Sequence, residues 1–192
     1  MRPLGRDDEP IRRIGEVITL LVRSGPIADP TVVHATFVLE RVYPAKPERV
    51  FAAFAKASSK RSWFAESPSH DVETFEMDFQ IGGAETARYR FKPGGPFEGV
   101  VLASDGAYLD IQPGNRIVSA STLSLGDQRI SASLVTITLS PTRDGTALTC
   151  THQGAFFEGA DGPKMREAGW RRRLDQLARS LMNEIQDPPA VA

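Results

Sequence analysis

One long amphipathic segment closes the chain, and it limits the fold more than any other feature. Over residues 163–186, Met165, Trp170, Leu174, Leu177, Leu181 and Ile185 recur at spacings of three to five, and Ala178 and Met182 widen the stripe. Arg171, Arg172, Asp175, Arg179 and Glu184 mostly occupy the other faces. That period places the apolar residues on one side of an α-helix. At 1.5 Å per residue the helix is ~35 Å long, enough to cross a small domain. A helix with one apolar stripe needs a surface to bury it against, so the preceding chain must supply one.

The preceding chain reads as strands. Residues 36–42 alternate as a strand, and Pro44 and Pro47 stop it, Pro47 being suited to the first turn of a helix. Val50, Phe51, Phe54 and Ala55 mark one face of that helix, and a second short helical or irregular piece carries Trp63 and Phe64. Phe75, Met77 and Phe79 then alternate with Glu76, Asp78 and Gln80 as a half-buried strand, which Gly82-Gly83 interrupts. Tyr89 and Phe91 alternate with Arg88 and Arg90, which places the arginines on the outer face. Residues 100–103 and 107–111 flank a predicted turn at Asp105-Gly106, and residues 116–123 form another strand. Gly126-Asp127 and Asp144-Gly145 are hairpin turns joining residues 130–139 and 146–153 to it. Short turns between strands mean antiparallel pairing.

The organisation is one domain over residues 31–187, an extension over 1–30 and a frayed end over 188–192. Ile11, Ile14, Val17, Ile18, Leu21 and Val22 recur at helical spacing in the extension, which Gly25, Pro26 and Pro30 terminate. The expected class is α+β: a curved antiparallel sheet of about six or seven strands wrapped on the last helix, with two short helices after the first strand. With 23 Lys plus Arg against 24 Asp plus Glu, no strong field draws nucleic acid or an anionic membrane. No apolar run is long enough for a transmembrane helix, and the start, MRPLGRDDEP, lacks the apolar core of a secretory signal. A lone cysteine, Cys150, excludes an internal disulfide and fits a cytoplasmic location.

Several motifs in order carry a family resemblance. They are PAKPERVF from Pro44 to Phe51, Trp63 with Phe64, and Phe79 with Gly82-Gly83. Gly106, Tyr108, Leu109, Asp110, Ile111 and Pro113, followed by Arg116-Ile117, form G-x-Y-L-[DE]-I-x-P. Gly145-Thr146 with Leu148, and Gly169-Trp170 with Leu174 and Leu177, complete the set. Over about Thr36 to Leu181 the chain resembles the SRPBCC (START-like) superfamily, and within it the homologues of the activator of heat-shock protein 90 ATPase, of the C-terminal-domain type. The resemblance implies a helix-grip fold, also called START- or birch-pollen-allergen-like. It implies a cavity between sheet and last helix, since relatives in the superfamily bind lipids, sterols or polyketides and some catalyse cyclisation or ring hydroxylation. In co-chaperones of this kind a separate N-terminal domain supplies much of the chaperone contact. Only about thirty residues precede the fold here, so stress-response co-chaperone activity is the least expected of three functions.

The residues themselves favour a binding module over an enzyme. There is no G-x-S-x-G elbow and no G-x-x-x-x-G-K-[ST] loop, so no catalytic residue and no cofactor is assigned. Cys150 and His152 share a strand face, but zinc needs three or four ligands, and His34 and His70 lie in other regions, so no metal is expected. Glu73, Glu76 and Asp78 mark a solvated strand face, and Arg171, Arg172 and Arg173 a solvated helix face. The candidate ligand-binding set is Trp63, Phe75, Met77, Phe79, Tyr89, Phe91, Tyr108, His152, Phe156 and Trp170, with Phe157 near the mouth. The expected partner is a small hydrophobic molecule, neither nucleic acid nor membrane, and a homodimer is left open. A cyclase- or hydrolase-like enzyme in the same cavity would need opposed polar groups, such as His152 facing Tyr108 or Glu98.

Overall fold

The computed structural model describes residues 32–186, with side chains followed to Asn183. The apolar repeat of residues 11–22 and the 188–192 tail lie outside the described residues, and the side chain of Ile185 lies beyond those followed. Strands β1 (Val33–Tyr43), β2 (His70–Met77), β3 (Ala84–Phe91), β4 (Val101–Gln112), β5 (Arg116–Leu125), β6 (Gln128–Thr142) and β7 (Gly145–Phe156) form one sheet. Its order is β1-β7-β6-β5-β4-β3-β2, and every pair is antiparallel. Helices α1 (Pro47–Ala55) and α2 (Ala57–Lys60), then one π-helical turn (Arg61–Ala65), fill the gap between β1 and β2, and α3 (Gly162–Gln186) ends the fold. Among the described residues no helix is long and apolar enough to cross a membrane.

The sheet is a meander from β2 to β7, and β1 returns to pair with β7 along its whole length, from Val33 opposite Phe156 to Tyr43 opposite Thr146. Gly126 and Gly145, both at positive φ, make the last two hairpins tight. Register shifts at Val72/Thr74, Tyr108/Asp110 and Leu123/Ser124 bend the strands and so help the sheet curve. The turn predicted at Asp105-Gly106 does not exist: both residues lie inside the continuous strand β4. Gly106 is there because β5 comes close. A Cβ on it would sit 2.7 Å from the Ala120 carbonyl oxygen and 2.9 Å from Ser121 Cβ.

Burial follows the period-2 pattern. Val135, Ile137 and Leu139 of β6 and Leu148, Cys150 and His152 of β7 point inward. They meet Val50 and Phe54 of α1, Trp63 of the π-turn, and Trp170, Leu174, Leu177 and Leu181 of α3 in one core. Pro47 opens α1 at a position that needs no N–H, and Trp63 donates its indole N–H to Ala53 O at 2.9 Å. A smaller cluster of Ala65, Ala87 and Tyr89, with Val72, Phe75 and Leu102 against it, lies at the β2–β3 end. Two buried polar ties hold these layers: Tyr43 donates to Leu174 O of α3 at 3.0 Å, and Thr146 of β7 donates to Ala45 O in the β1–α1 connection at 2.6 Å.

The helical stripe differs from expectation at its start. Met165 is 64% exposed, and the inward position one residue later belongs to Arg166. Arg166 precedes Trp170 by four, so the two share a face, whereas Met165 is a further 100° around. The buried guanidinium is satisfied by Asp161, at 2.6 and 2.9 Å, and by Ser131 Oγ at 3.0 Å.

Candidate functional site

The register makes the inward face of the sheet a set of rows. One row is Tyr108, Ser119, Val135, His152 and Phe37. The next is Glu85, Gly106, Ser121, Ser133, Gly154 and Ala35. A third is Ala87, Ser104, Leu123, Ser131 and Phe156. In the second row, from β4 across to β1, no side chain exceeds serine. Ser104, Gly106, Ser119, Ser121, Leu123 and Ser133 face inward yet are only half-buried. Apart from Leu123 these positions carry only serine or glycine; large apolar residues there would have met the helices and closed the face, and small ones do not reach.

Polar groups converge around this area. Lys60 is buried at the end of α2, where its ammonium pairs with the Glu85 carboxylate and donates to Tyr108 Oη at 3.1 Å. Tyr108 in turn donates to the same carboxylate, and burial, followed by Glu85, raises its phenol far above the ordinary value. This phenol can donate a hydrogen bond but does not ionise near neutral pH. His152 lies between Phe37, stacked at 4.6 Å, and Phe156, at 6.4 Å, with Trp170 edge-on at 6.2 Å. Burial, reinforced by the charge of Arg166, pulls its pKa down to about 4. The imidazole is neutral at pH 7 and too weak a base to be poised for proton transfer there. Burial pushes the Cys150 thiol up to about 12, the reverse of an activated nucleophile.

Among the described residues, three buried polar atoms find no hydrogen-bond partner: Tyr89 Oη, Ser133 Oγ and His152 Nδ1. All three belong to inward-facing positions. Arg173 overturns the expectation of a solvated arginine face. Arg171 and Arg172 are exposed, but Arg173 is half-buried and turned inward, its guanidinium over the Phe64 ring at 4.2 Å and near Trp170 at 5.7 Å. It follows Trp170 by three and precedes Leu174 by one, so it flanks the buried stripe and not the solvent side.

The expected site residues are dispersed. Trp63 packs edge-on to Phe54 in the core, and Phe75 belongs to the cluster around Tyr89. Met77 and Phe79 pack against the main core, Phe79 edge-on to Tyr108. Phe91 contacts His70 and Phe97 and lines an open depression of about 350 Å³ with Pro68, Pro93 and Pro96. Tyr108 and His152 stand in the row on one side of the small residues and Phe156 in the row on the other, Trp170 meets His152, and Tyr89, opposite Leu102, lies one row further out. Glu98 is not among them: it is exposed in the β3–β4 turn and accepts from Gly94 N–H at 3.1 Å, so it does not oppose His152. A second open depression, of about 530 Å³, is lined by residues 34–36, 132–134 and 153–155 of β1, β6 and β7. Arg88 and Arg90 lie on the outer face as expected, paired with Asp105 and Glu73. Among the described residues no three His, Cys, Asp or Glu side chains are grouped to hold a metal.

Sequence reasoning missed Lys60, Glu85 and Arg173. Glu85 was within reach, because it alternates with Ala87 and Tyr89 and therefore shares their face. Arg173 was hidden by its neighbours in a run of three.

A seven-stranded antiparallel sheet curved on one long C-terminal helix defines the helix-grip class. The chain belongs to the family described as activator of Hsp90 ATPase homolog 1-like protein, which matches residues 44–182. The Mll3558 protein from Rhizobium loti is 44% identical over 78% of this chain and 98% of that one, with a TM-score of 0.69. An uncharacterised protein from Rhizobium leguminosarum is 35% identical over 80% and 97%, with a TM-score of 0.74. The AHSA1-like protein from Aeromonas hydrophila, 17% identical over 82% and 99% with a TM-score of 0.59, shares the fold. A comparison with curated proteins gives no match.

Proposed function

We propose that this domain binds a small, largely apolar molecule between the inward face of the sheet and α3. The observation that carries the reading is the half-buried run of Ser104, Gly106, Ser119, Ser121, Leu123 and Ser133 on a face that should otherwise be core. Tyr89, Tyr108, His152, Phe156 and Trp170 would border the ligand. Trp63, Phe75, Met77, Phe79 and Phe91 would form its wider surround. Covering apolar surface would contribute about 25 cal/mol per Å² removed from water.

A binding role suits the groups present better than a reaction does. His152 is neutral, Cys150 is not activated, and Lys60 is already engaged by Glu85 and Tyr108. The test is native mass spectrometry of freshly purified protein, followed by a thermal-shift screen of lipids and aromatic metabolites. A co-purified apolar molecule, or one class that raises Tm progressively, roughly with the logarithm of its concentration, is the expected result. Absence of both would remove the reading. Stimulation of Hsp90 ATP turnover by the purified chain would replace it with a co-chaperone role.

A further inference from the structure

Three basic side chains reach the interior from the helical layer, and two are matched. Lys60 has Glu85, and Arg166 has Asp161. Arg173 has no hydrogen bond and no ion pair among the described residues. Its contacts are the rings of Phe64 and Trp170. Arg173 is half-buried, so its guanidinium gives up part of its hydration, and cation–π contact offsets only part of that loss when no counter-ion is present.

The guanidinium lies over Phe64 at 4.2 Å and near Trp170 at 5.7 Å, and Trp170 in turn meets His152 edge-on at 6.2 Å, so the charge flanks the inner face. It bears electrostatically on Tyr89 of β3 and on Cys150 and His152 of β7. Burial pulls Arg173 itself below its ordinary value, with Tyr89 and Glu85 opposing that fall. Tyr89 Oη, which acts electrostatically on Arg173, is a buried hydroxyl donor without an acceptor; Ser133 Oγ is a second one on the same face, three strands away on β6. Nearby Glu85 cannot fill this role, since its carboxylate is held by Lys60 and Tyr108.

We infer that the inner-face site takes a ligand with a single carboxylate on an apolar body, and that Arg173 is its counter-ion. This rests on the binding role proposed above. A carboxylate accepts a bidentate pair from a guanidinium and still has lone pairs for hydroxyl donors. One unmatched positive charge calls for one negative charge. A dianionic phosphate would leave an excess negative charge close to Glu85. The body of the ligand would lie along Leu102 and Leu123 under Phe64 and Trp170.

The test uses matched acid and alcohol pairs, 4-phenylbutyrate with 4-phenylbutanol and octanoate with octanol, titrated calorimetrically into the full chain. Wild type is expected to bind the acid of a pair at least about tenfold more tightly than the alcohol. In Arg173→Gln that preference falls to about twofold or less, while alcohol affinity is kept, which shows that the variant is folded. Tyr89→Phe reduces the preference in part. Ligand-free Arg173→Gln melts no lower than wild type, because a charge without a counter-ion has been removed.

Equal affinity of wild type for acid and alcohol would overturn the carboxylate assignment and leave the binding site standing. Binding of neither member of either pair would overturn the site, and the assignment with it. A Tm several degrees lower in ligand-free Arg173→Gln would make Arg173 a prop for Phe64 and not an anion anchor.

Discussion

His152 is held neutral by its surroundings, and the sign of the consequence is fixed. Its folded pKa of about 4 lies below the ordinary 6.5. Above pH 6.5 neither the folded nor the unfolded imidazole is protonated, and the stability due to the buried neutral ring is complete. As pH falls through 6.5 toward 4, the unfolded chain takes up a proton that the folded one refuses, and that stability is lost. The loss is on the order of 3 kcal/mol by pH 4. Urea unfolding across this range should show His152→Phe with a flatter pH dependence than wild type. Parallel curves would contradict the assignment. Cys150, with a thiol pushed up to about 12 and no exposed surface, should not react with a thiol reagent in native protein and should react fully in denaturant. At this scale the sequence was an uneven guide. The buried ring of His152 and the phenol of Tyr108 could be picked out by alternation. Which hydroxyls lack partners could not, because satisfaction depends on neighbours that β-pairing brings from far along the chain.

Among the elements, α3 was the most legible and its first turn the least. Leu174, Leu177 and Leu181 are buried where their spacing puts them, and each is almost wholly enclosed. Leu177→Ala should destabilise the fold by about 2–5 kcal/mol, read by chemical denaturation. A cost below about 1 kcal/mol would mean that α3 is not packed as described. The β6–β7 hairpin carries a separate constraint. Gly145 has φ +140°, and a Cβ there would lie 2.0 Å from the Tyr43 carbonyl oxygen. Gly145→Ala should therefore cost on the order of 1–3 kcal/mol or more, far beyond an ordinary glycine substitution at a turn. A melting temperature equal to wild type would refute that. The β4 error has the same origin as the Gly145 requirement. A glycine next to an aspartate reads as a turn locally, while the real demand at Gly106 is close approach of β5, which no local pattern encodes.

For the molecule as a whole, the two apolar clusters imply unequal stability. β6 and β7 lie over the main core, whereas β2 is an edge strand backed by the small cluster around Tyr89. Hydrogen exchange should find the amides of β6 and β7 the slowest and those of β2 markedly faster. Equal protection across the sheet would show that the small cluster opens only with the rest. Class and architecture were readable because strands, hairpins and one closing helix leave few ways to bury a single face. The open patch was not, since serine and glycine at inward positions look no different from those in turns.

Among the described residues, β1 pairs only with β7, more than a hundred residues further on. While the ribosome is still making the middle of the domain, β1 therefore waits with both edges open. Every hairpin from β2 onward can close first, but the first strand is docked only when the last has emerged. Conditions that slow translation between the two would lengthen the time during which that strand can pair with another nascent chain.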